Sequence, residues 1–343
     1  MLDDSSFVQV IALNPDDDGP RLLYADYLDE KGTVESAARA EFIRVQCALA
    51  AISGEPDNQA PLQSRERALL SEYWAAWVKP ACQALAEPTP IAISRGPDSH
   101  GGASDRYSLR WIEFPSRLVH VIEQAWEGGR DIPYFHSAQF RRGLLAHVAL
   151  AYKTFRTPHH VARLFEKAPL DGLSLMSFPP RAFQQTMAGI DGSRLRSLEL
   201  IFAEIESVAI LAADSSLSDL HELILQSIHG IGDPCYLIGH SATLQNLRCL
   251  MLSHCNLDSS GVEMLCRSPI AGRIETLEFH QCHMNADTAN ALIREYPPVN
   301  SLKRLVLSMD MLPGRTQRAL GLRFGEILQL RGKELNRPAR YFL

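Results

Sequence analysis

The sequence predicts an α/β protein in which an N-terminal α-helical module precedes a solenoid of repeated strand–helix units. Three observations predict this class. Apolar residues recur at a near-constant interval in the second half of the chain. Each repeated segment contains a short run of alternating apolar and polar residues, which is typical of a β-strand. In the first part of the chain the apolar residues are spaced as in α-helices instead. The predicted boundaries are a helical module over residues 1–87, a junction and N-terminal cap over 88–143, the solenoid over 144–331 and a C-terminal tail over 332–343.

Helical spacing of apolar residues predicts four helices in the module. The first is expected to be capped by Ser5 or Ser6, and the second to end at Gly32. The third and fourth cover residues 37–52 and 62–85. The side chains expected to be buried by these helices are Phe7, Val10, Ile11, Leu22, Leu23, Tyr24, Tyr27, Leu28, Phe42, Ile43, Cys47, Leu49, Leu69, Leu70, Tyr73, Trp74, Trp77 and Val78.

The module also carries a group of charged side chains, namely Asp16, Asp17, Asp18, Arg21, Asp26, Glu41 and Arg44. These could form a metal or phosphate site. They could also cap helices and pair with one another, with Arg21 and Arg44 facing carboxylates, because a helix start stabilises acidic side chains. A calcium loop needs alternating oxygen ligands and a closing glutamate, which residues 16–27 lack. We therefore favour the structural interpretation.

The junction begins with residues 88–106, which are rich in proline, glycine and serine and are expected to form a mobile loop. Residues 106–114 then alternate like a strand, and residues 116–126 are predicted to be helical. Aromatic side chains are dense in this region, at Trp111, Phe114, Trp126, Tyr134, Phe135 and Phe140. Because the first repeat of a solenoid would otherwise expose its apolar layer, these aromatics are predicted to form an end cap rather than a ligand site.

The strand–helix unit is clearest at residues 247–265, LRCLMLSHCNLDSSGVEML. Leu250 and Leu252 alternate on a short strand and face the core, whereas Cys255 turns inward beneath that strand. Gly261 opens a helical return segment. A single unit cannot bury its own apolar face, so the pattern predicts neighbouring units.

Seven units share this pattern. Their first apolar positions are Leu145, Leu170, Leu195, Leu220, Leu247, Ile274 and Leu302, which are spaced by 25, 25, 25, 27, 27 and 28 residues. The predicted strand cores are residues 148–150, 173–175, 198–200, 223–225, 250–252, 277–279 and 305–307. This period predicts a parallel β-sheet on the concave side of the solenoid, with helices or irregular segments on the convex side.

The repeated pattern resembles the leucine-rich repeat of the ribonuclease-inhibitor-like kind. The run NPDDDGPRLLYADYLDEKG, followed by AEFIRVQCALA, resembles the bacterial repeat-companion domain, a short helical module that precedes leucine-rich repeats. This match covers residues 5–50, and Tyr27 stands where members usually have tryptophan. The resemblance implies a leucine-rich-repeat solenoid with a recognition, scaffold or regulatory role in bacterial signalling or conflict systems. It implies no chemistry, because none is established for that family.

Outward-pointing strand positions form the candidate binding face of the predicted solenoid. The face is apolar and its charges are mostly acidic, so we expect a protein partner with an apolar and basic patch. The predicted contact residues are Met176, Glu199, Phe202, Glu222, Ile224, Met251, His254, Glu278, His280 and Val306. The alternative is that segments of the junction or the tail cover this face.

Two chemical alternatives are weaker. Glu199 and Glu222 should lie on neighbouring strands, offset by two positions, at a separation that could suit inverting glycoside hydrolysis, but a shallow sheet offers no enclosed pocket. A zinc site would use His254, Cys255, His280, Cys282 and His283. The two cysteines, however, are expected to be buried beneath their strands. We therefore predict no catalytic residue, no cofactor and no metal, and hence a non-enzymatic binding protein.

A different functional class is also open, in which the chain is a substrate or sensor of a partner enzyme such as a protease. The glycine- and serine-rich segment 88–106 would then be the functional element, because such exposed loops are preferred sites of cleavage.

Composition limits the remaining classes. A net charge of −6 and a pI near 6.1 argue against nucleic-acid binding, which usually requires a basic surface. The N-terminus lacks a basic segment typical of a signal peptide, and no apolar run reaches the roughly 18 residues of a membrane span. Seven cysteines without a C-x-x-C pair indicate free thiols and a cytoplasmic location.

Overall fold

The computed structural model describes residues 3–52, 56–85, 107–114, 117–124, 137–152, 160–282, 284–298, 301–308 and 312–331. The chain divides into two compact units, Met1–Gly172 and Leu173–Leu343. The predicted mobile loop over 88–106 and the predicted tail over 332–343 lie outside the described residues.

The first unit begins with the predicted helical module. Its helices are α1 (Asp4–Leu13), α2 (Gly19–Glu30), α3 (Val34–Ala51) and α4 (Pro56–Leu85). Asp3, rather than the expected Ser5 or Ser6, caps α1 by accepting a hydrogen bond from the amide of Ser6 at 2.9 Å. Thr33 and Ser36 form a reciprocal capping box at the start of α3. The helices enclose a core of Ile11, Tyr24, Ala25, Leu28, Ala40, Ile43, Cys47 and Leu144.

The face of α2 that enters this core differs from the prediction. Arg21, Tyr24, Ala25 and Leu28 are its buried residues, at the spacing of one helical face. The expectation that Leu22 and Leu23 are buried is wrong, since Leu23 is 64% exposed and Leu22 lies beside it on the outer side. Val10 of α1 is exposed for the same reason.

The charged side chains of the module pair with one another. Arg44 lies 2.6 Å from Asp26 and 2.7 Å from Asp29. Arg142 pairs with Asp18 at 2.9 Å, whereas Arg21 donates to the backbone carbonyl of Asp17 at 2.7 Å rather than to a carboxylate. Arg65 binds both carboxylate oxygens of Glu41 at 2.6 Å. The interpretation as capping and ion pairing is confirmed at Arg44.

Strands of the first unit follow the helices. They are β1 (Tyr107–Phe114), β2 (Arg117–Gln124), β3 (Ser137–Arg141) and β4 (Leu144–Ala151), each antiparallel to the next, and helix α5 (His160–Lys167) comes after them. The helix predicted over residues 116–126 is wrong, because β2 pairs with β1 along its whole length. The apolar spacing there fitted both periods, and the β-branched residues Val119, Val121 and Ile122 favour a strand.

The turn between β3 and β4 rests on α3. Gly143 has a φ of 81°, and a Cβ at this position would overlap the backbone of Ile43. The amide of Gly143 donates to the side-chain oxygen of Gln46, whose own nitrogen donates to Glu66 at 2.6 Å. A glycine is therefore required where the turn between β3 and β4 meets α3.

The second unit is a series of strand–helix repeats. Its strands are β5 (Gly172–Met176), β6 (Ser197–Ile201), β7 (Glu222–Gln226), β8 (Cys249–Ser253), β9 (Thr276–His280), β10 (Arg304–Ser308) and β11 (Leu328–Arg331). Its helices are α6 (Pro180–Ala188), α7 (Ile205–Ala213), α8 (Pro234–Gly239), α9 (Ser259–Arg267), α10 (Ala286–Glu295) and α11 (Gly314–Phe324). Short 3-10 turns cover Gly192–Arg194, Ser215–Leu217 and Gly325–Ile327.

Strands β6 to β11 pair in parallel and in chain order, which confirms the α/β class with a mainly parallel sheet. Every predicted strand core lies inside an observed strand. The two inward positions form continuous buried columns, Leu198–Leu223–Leu250–Leu277–Leu305 and Leu200–Leu225–Leu252–Phe279–Leu307. Burying aligned leucines from adjacent repeats supplies the main apolar contribution to the stability of this unit.

Each of β5 to β9 is followed by a residue in the left-handed region, with φ between 48° and 57°. These residues are Ser177, Phe202, Ser227, His254 and Gln281. The amide of each of the first four donates to the carbonyl of the last residue of the following strand, at 2.8 to 2.9 Å. The next residue then turns into the core, and the buried residues at this position are Phe178, Ala203, Ile228, Cys255 and Cys282. The predicted inward position of Cys255 is confirmed.

A buried carboxylate links two of the repeats. Asp233 accepts from the amide of Cys235 at 2.7 Å and from the amide of Asp258 at 2.7 Å. Gly261 packs directly against this carboxylate, and a Cβ at Gly261 would overlap it. Burial raises the pKa of Asp233 to about 6, although the two backbone hydrogen bonds oppose that change.

A methyl group at Gly261 should therefore destabilise the protein. We expect Gly261→Ala to lower the free energy of unfolding by about 2–3 kcal/mol, because Asp233 would have to move and lose its hydrogen bonds. The matched control is Gly321→Ala within α11, where a Cβ meets nothing within 4 Å. That change should raise the free energy of unfolding by about 0.5–1 kcal/mol through helix propensity. Urea unfolding of both variants tests this, and equal effects would contradict it.

The pKa of Asp233 predicts a pH dependence of stability. Because the folded value lies above the unfolded value, its contribution is fully present below pH 4 and is lost as the pH rises through about 6. The raised pKa corresponds to about 3 kcal/mol in total. The stability difference between wild type and Asp233→Asn should therefore shrink by about that amount between pH 4 and pH 7. A constant difference across this range in urea unfolding would contradict the assignment.

Candidate functional site

The register of the parallel strands places the outward side chains of the second unit in rows. One row contains Glu199, Ile224, Met251, Glu278 and Val306, with adjacent members about 4.8 Å apart. A second row, one pleat further along the strands, contains Ile201, Gln226, Ser253 and His280. Glu222 lies one pleat before the first row, and the left-handed residues Phe202 and His254 follow the second. The sheet therefore aligns most of the predicted contact residues as the sequence indicated.

Their exposure differs from the prediction. Glu199 is 1% exposed, Ile224 is 3% exposed and Val306 is fully buried, and both Glu278 and His280 are buried as well. The expectation of an exposed apolar strip along the centre of these rows is wrong. The alternation of residues along a strand shows which side a side chain takes, but it does not show whether that side is open to solvent.

The exposed members of the predicted set lie at the margins of the rows. Phe202 is 41% exposed, and His254 is also exposed. Met176, Glu222 and Met251 are half-buried. Direct contact with a partner is thus open to these five residues in the structure.

A charged cluster occupies the buried part of the face. His280 Nε2 lies 2.7 Å from Glu278 Oε2, and Arg304 Nε lies 3.3 Å from Glu278 Oε1. Burial opposes ionisation of Glu278, but the hydrogen bond from His280 and the positive charges of Arg304 and Arg331 outweigh it, so the pKa of Glu278 is lowered. The cluster keeps a carboxylate charged inside the sheet face.

Two polar atoms beside this cluster have no hydrogen-bond partner among the residues that the structure describes. They are Nδ1 of His280 and Nε2 of Gln226, and Ser253 lies between the two residues in the strand register. The centre of the face is therefore polar as well as buried, in contrast to the apolar character expected from the sequence. Gln226 and Ser253 are not among the ten predicted contact residues.

The two carboxylates considered for hydrolysis are held by serines on the preceding strands. Ser174 Oγ donates to Glu199 at 2.5 Å, and Ser197 Oγ donates to Glu222 at 2.7 Å. Glu199 pairs in register with Ile224, so the predicted offset of two positions from Glu222 is confirmed. Both carboxylates thus act as cross-strand hydrogen-bond acceptors.

The structure separates the side chains considered for zinc. The thiols of Cys255 and Cys282 lie beneath the strands, within 3.3 to 3.6 Å of backbone carbonyls, whereas His254 and His280 lie on the outward side. His283 is outside the described residues. Within the described ranges, no group of three or more histidine, cysteine or acidic side chains is placed to hold a metal ion.

An exposed group that sequence reasoning missed lies next to Phe202. The ring of His229 stacks on the ring of Phe202, with centroids 6.4 Å apart and an interplanar angle of 11°. The amide of His229 donates to the carbonyl of Ala203, and the amide of Ile205 donates to the carbonyl of His229, so this loop is fixed against the end of β6. Ile231, two residues further, is fully exposed. We call Phe202, His229 and Ile231 the strand-end cluster.

The sequence signal for the strand-end cluster is the run H-G-I-G. Gly230 and Gly232 both have positive φ, and both lie against Ile205. Ile231 stands between these two glycines and outside the strand cores that the repeat pattern predicts, so that pattern does not assign it to the core.

Neither the protein-family models nor the curated proteins contain a match to this sequence. No helix among the described residues is both long enough and apolar enough to cross a bilayer.

The buried cluster predicts a strong effect of losing its central charge. Glu278→Gln should lower the free energy of unfolding by about 3 kcal/mol, because Arg304 would keep its charge with no carboxylate beside it. Since the folded pKa of Glu278 is lowered, this contribution is present above its unfolded pKa and is lost as the pH falls through the folded value. The difference from wild type should therefore diminish in acid.

The control for this experiment is Glu275→Gln. Glu275 also pairs with two cations, Lys303 at 2.7 Å and Arg248 at 3.2 Å, but these pairs are exposed. Its replacement should change the free energy of unfolding by less than about 1 kcal/mol. If the two variants were equally stable in urea unfolding at neutral pH, the role assigned to the buried cluster would be wrong.

Proposed function

We propose that this protein is a non-enzymatic interaction module that binds a protein partner at the strand-end cluster and the half-buried side chains beside it. The second unit would act as a leucine-rich-repeat solenoid, and the first unit would include a repeat-companion domain, as the sequence resemblance implies. Parallel strands in a fixed register support this function, because a surface that is already ordered loses little entropy on binding.

The proposal rests mainly on the exposure and the backbone conformation of Phe202. Its ring is 41% exposed, and its φ of 51° is unfavourable for a bulky side chain by about 1 kcal/mol or more. The same position holds Ser177, Ser227, His254 and Gln281 in the other repeats, so the left-handed turn does not require an aromatic residue. Phe202 adds little packing and carries a conformational cost, which favours a role outside stability.

The surroundings of Phe202 indicate the partner's chemistry. Glu204 and Glu206 follow it in sequence and are exposed, and Glu222 is half-buried on the next strand. Apolar rings and an isoleucine beside carboxylates suit a partner with an apolar residue flanked by lysine or arginine. We assign direct contact with the partner to Phe202, Ile231, Met251, His254 and Glu222. The remaining predicted residues would hold these side chains in position.

The free thiols of the described cysteines fit a cytoplasmic setting for this module, because oxidising compartments favour disulfides. We therefore propose that the partner is a cytoplasmic protein.

Capture experiments with full-length protein test the proposal. The immobilised wild type is incubated with lysate of the source cells, and the retained proteins are quantified by mass spectrometry. Phe202→Ser, which installs the residue found at this position in two other repeats, should reduce capture of the specific partner at least about tenfold, as expected for a central aromatic contact. Ile231→Ser should act in the same direction.

The matched control is Leu322→Ser on α11. This change removes an exposed apolar side chain that lies outside the proposed binding surface. This variant should retain the partner, and Phe202→Ser should unfold at the same temperature as wild type or higher. Equal capture by wild type and Phe202→Ser, or equal loss in Phe202→Ser and Leu322→Ser, would contradict the proposal.

A further inference from the structure

The first unit contains an open cavity of about 570 Å³ that the proposed function does not use. Helices α1 to α4 contribute most of its lining, together with the start of β4 and the residues that end and follow α5. Its apolar wall includes Val8, Leu28, Trp77 and Leu144. This volume is within the range of about 300–1,000 Å³ that is usual for small-molecule sites.

Arg39 is the distinctive polar group of this wall. Its guanidinium lies 4.7 Å from the ring centroid of Trp77, 5.0 Å from that of Phe140 and 6.0 Å from that of Phe42. Unlike Arg44 and Arg65, it forms no ion pair or hydrogen bond with any residue that the structure describes, and its Nη1 atom is buried without an acceptor. Burial lowers the pKa of Arg39 to about 10, so the group is still cationic at neutral pH.

The charges around Arg39 restrict what could pair with it. Two lysines also line the cavity, namely Lys31, which pairs with Asp4 at 2.7 Å, and Lys167 at the end of α5. Two further carboxylates, Glu35 and Glu166, line the same cavity. Apart from Arg39, the lining therefore holds three carboxylates, those of Asp4, Glu35 and Glu166, against two lysines. This excess of negative charge disfavours a ligand with two negative charges, whereas a single carboxylate matches the guanidinium of Arg39.

Hydrogen-bonding groups near Arg39 could orient such a ligand. The hydroxyl of Tyr24 lies in the lining, 3.3 Å from Asp4, and burial together with the charge of Asp4 raises the pKa of this tyrosine. It therefore stays protonated with its one proton donated to Asp4, and its oxygen can accept a hydrogen bond from a ligand. Apart from Lys167, most of the remaining wall is aromatic and aliphatic surface.

We propose that this cavity binds a small organic monocarboxylate, with its carboxylate against the guanidinium of Arg39 and its apolar body against Trp77 and Leu28. The planar guanidinium stacked on aromatic rings is pre-oriented for two parallel hydrogen bonds to a carboxylate. The ligand supplies the negative charge that no described side chain provides. This inference is independent of partner binding by the second unit.

Titration of the full-length protein by NMR tests the assignment. Phenylacetate is the probe, phenylacetamide is its neutral counterpart of the same shape, and inorganic phosphate is the competing anion. We expect phenylacetate at millimolar concentration to shift the Trp77 indole resonance and the resonances of α3, with at least tenfold weaker responses to phenylacetamide and phosphate. Equal binding of the amide, preferential binding of phosphate or no response to phenylacetate would each overturn the proposal.

Variants locate the binding. Arg39→Met should weaken phenylacetate binding at least tenfold. Arg39→Lys keeps the positive charge but cannot form two parallel hydrogen bonds to the carboxylate, so it should weaken binding by a smaller factor. Arg44→Met, on the same helix but already paired with carboxylates, should bind like wild type. Removing an unpaired buried charge should not lower the unfolding temperature, which is measured on the same samples. Unchanged affinity in both Arg39 variants would show that the cavity does not recognise carboxylates through this residue.

Discussion

The second unit depends on one backbone interaction that recurs from repeat to repeat. The left-handed residue after each of β5 to β8 donates its amide to the last carbonyl of the next strand, as Phe202 does to Gln226 and Ser227 does to Ser253. This bond sets the register, and the register in turn aligns the leucine columns beneath the sheet. At the other end of the strands a single carbonyl accepts two consecutive amides, as that of His221 does from Arg248 and Cys249. Both ends of each strand are therefore fixed by its neighbour.

This constraint explains which parts of the fold were predictable. The leucine period located the cores of β4 to β10, and the position of Cys255 followed because the residue after the left-handed turn must point inward. Local patterns gave the wrong secondary structure where the spacing of apolar residues fitted both a helix and a strand. Residues 117–124 form a strand because β1 offers a complete partner, which spacing within the segment could not reveal. Leu22 and Leu23 are exposed because only one face of α2 meets the core.

The candidate site was less predictable than the sheet that carries it. Alternation correctly placed Glu199, Ile224 and Glu278 on the outward side, but their burial depends on contacts that strand periodicity does not describe. The ion cluster of Glu278, His280 and Arg304 also required the register of two strands, since Arg304 lies in a different repeat. Ile231 lies outside the predicted strand cores, so the period of the repeats could not mark it as part of a site.

Both features with an assigned binding role differ from comparable residues in their own unit. The other four left-handed residues at the strand ends are polar, and Phe202 is an exposed aromatic in the same strained conformation. Along α3, Arg44 meets two carboxylates, whereas Arg39 meets aromatic rings and no acid among the described residues. Folding alone favours neither arrangement, because a strained exposed ring and an unpaired guanidinium each reduce stability. Residues that oppose stability in an otherwise consistent fold are where function is expected, and a bound partner or ligand would supply the contact that each one lacks.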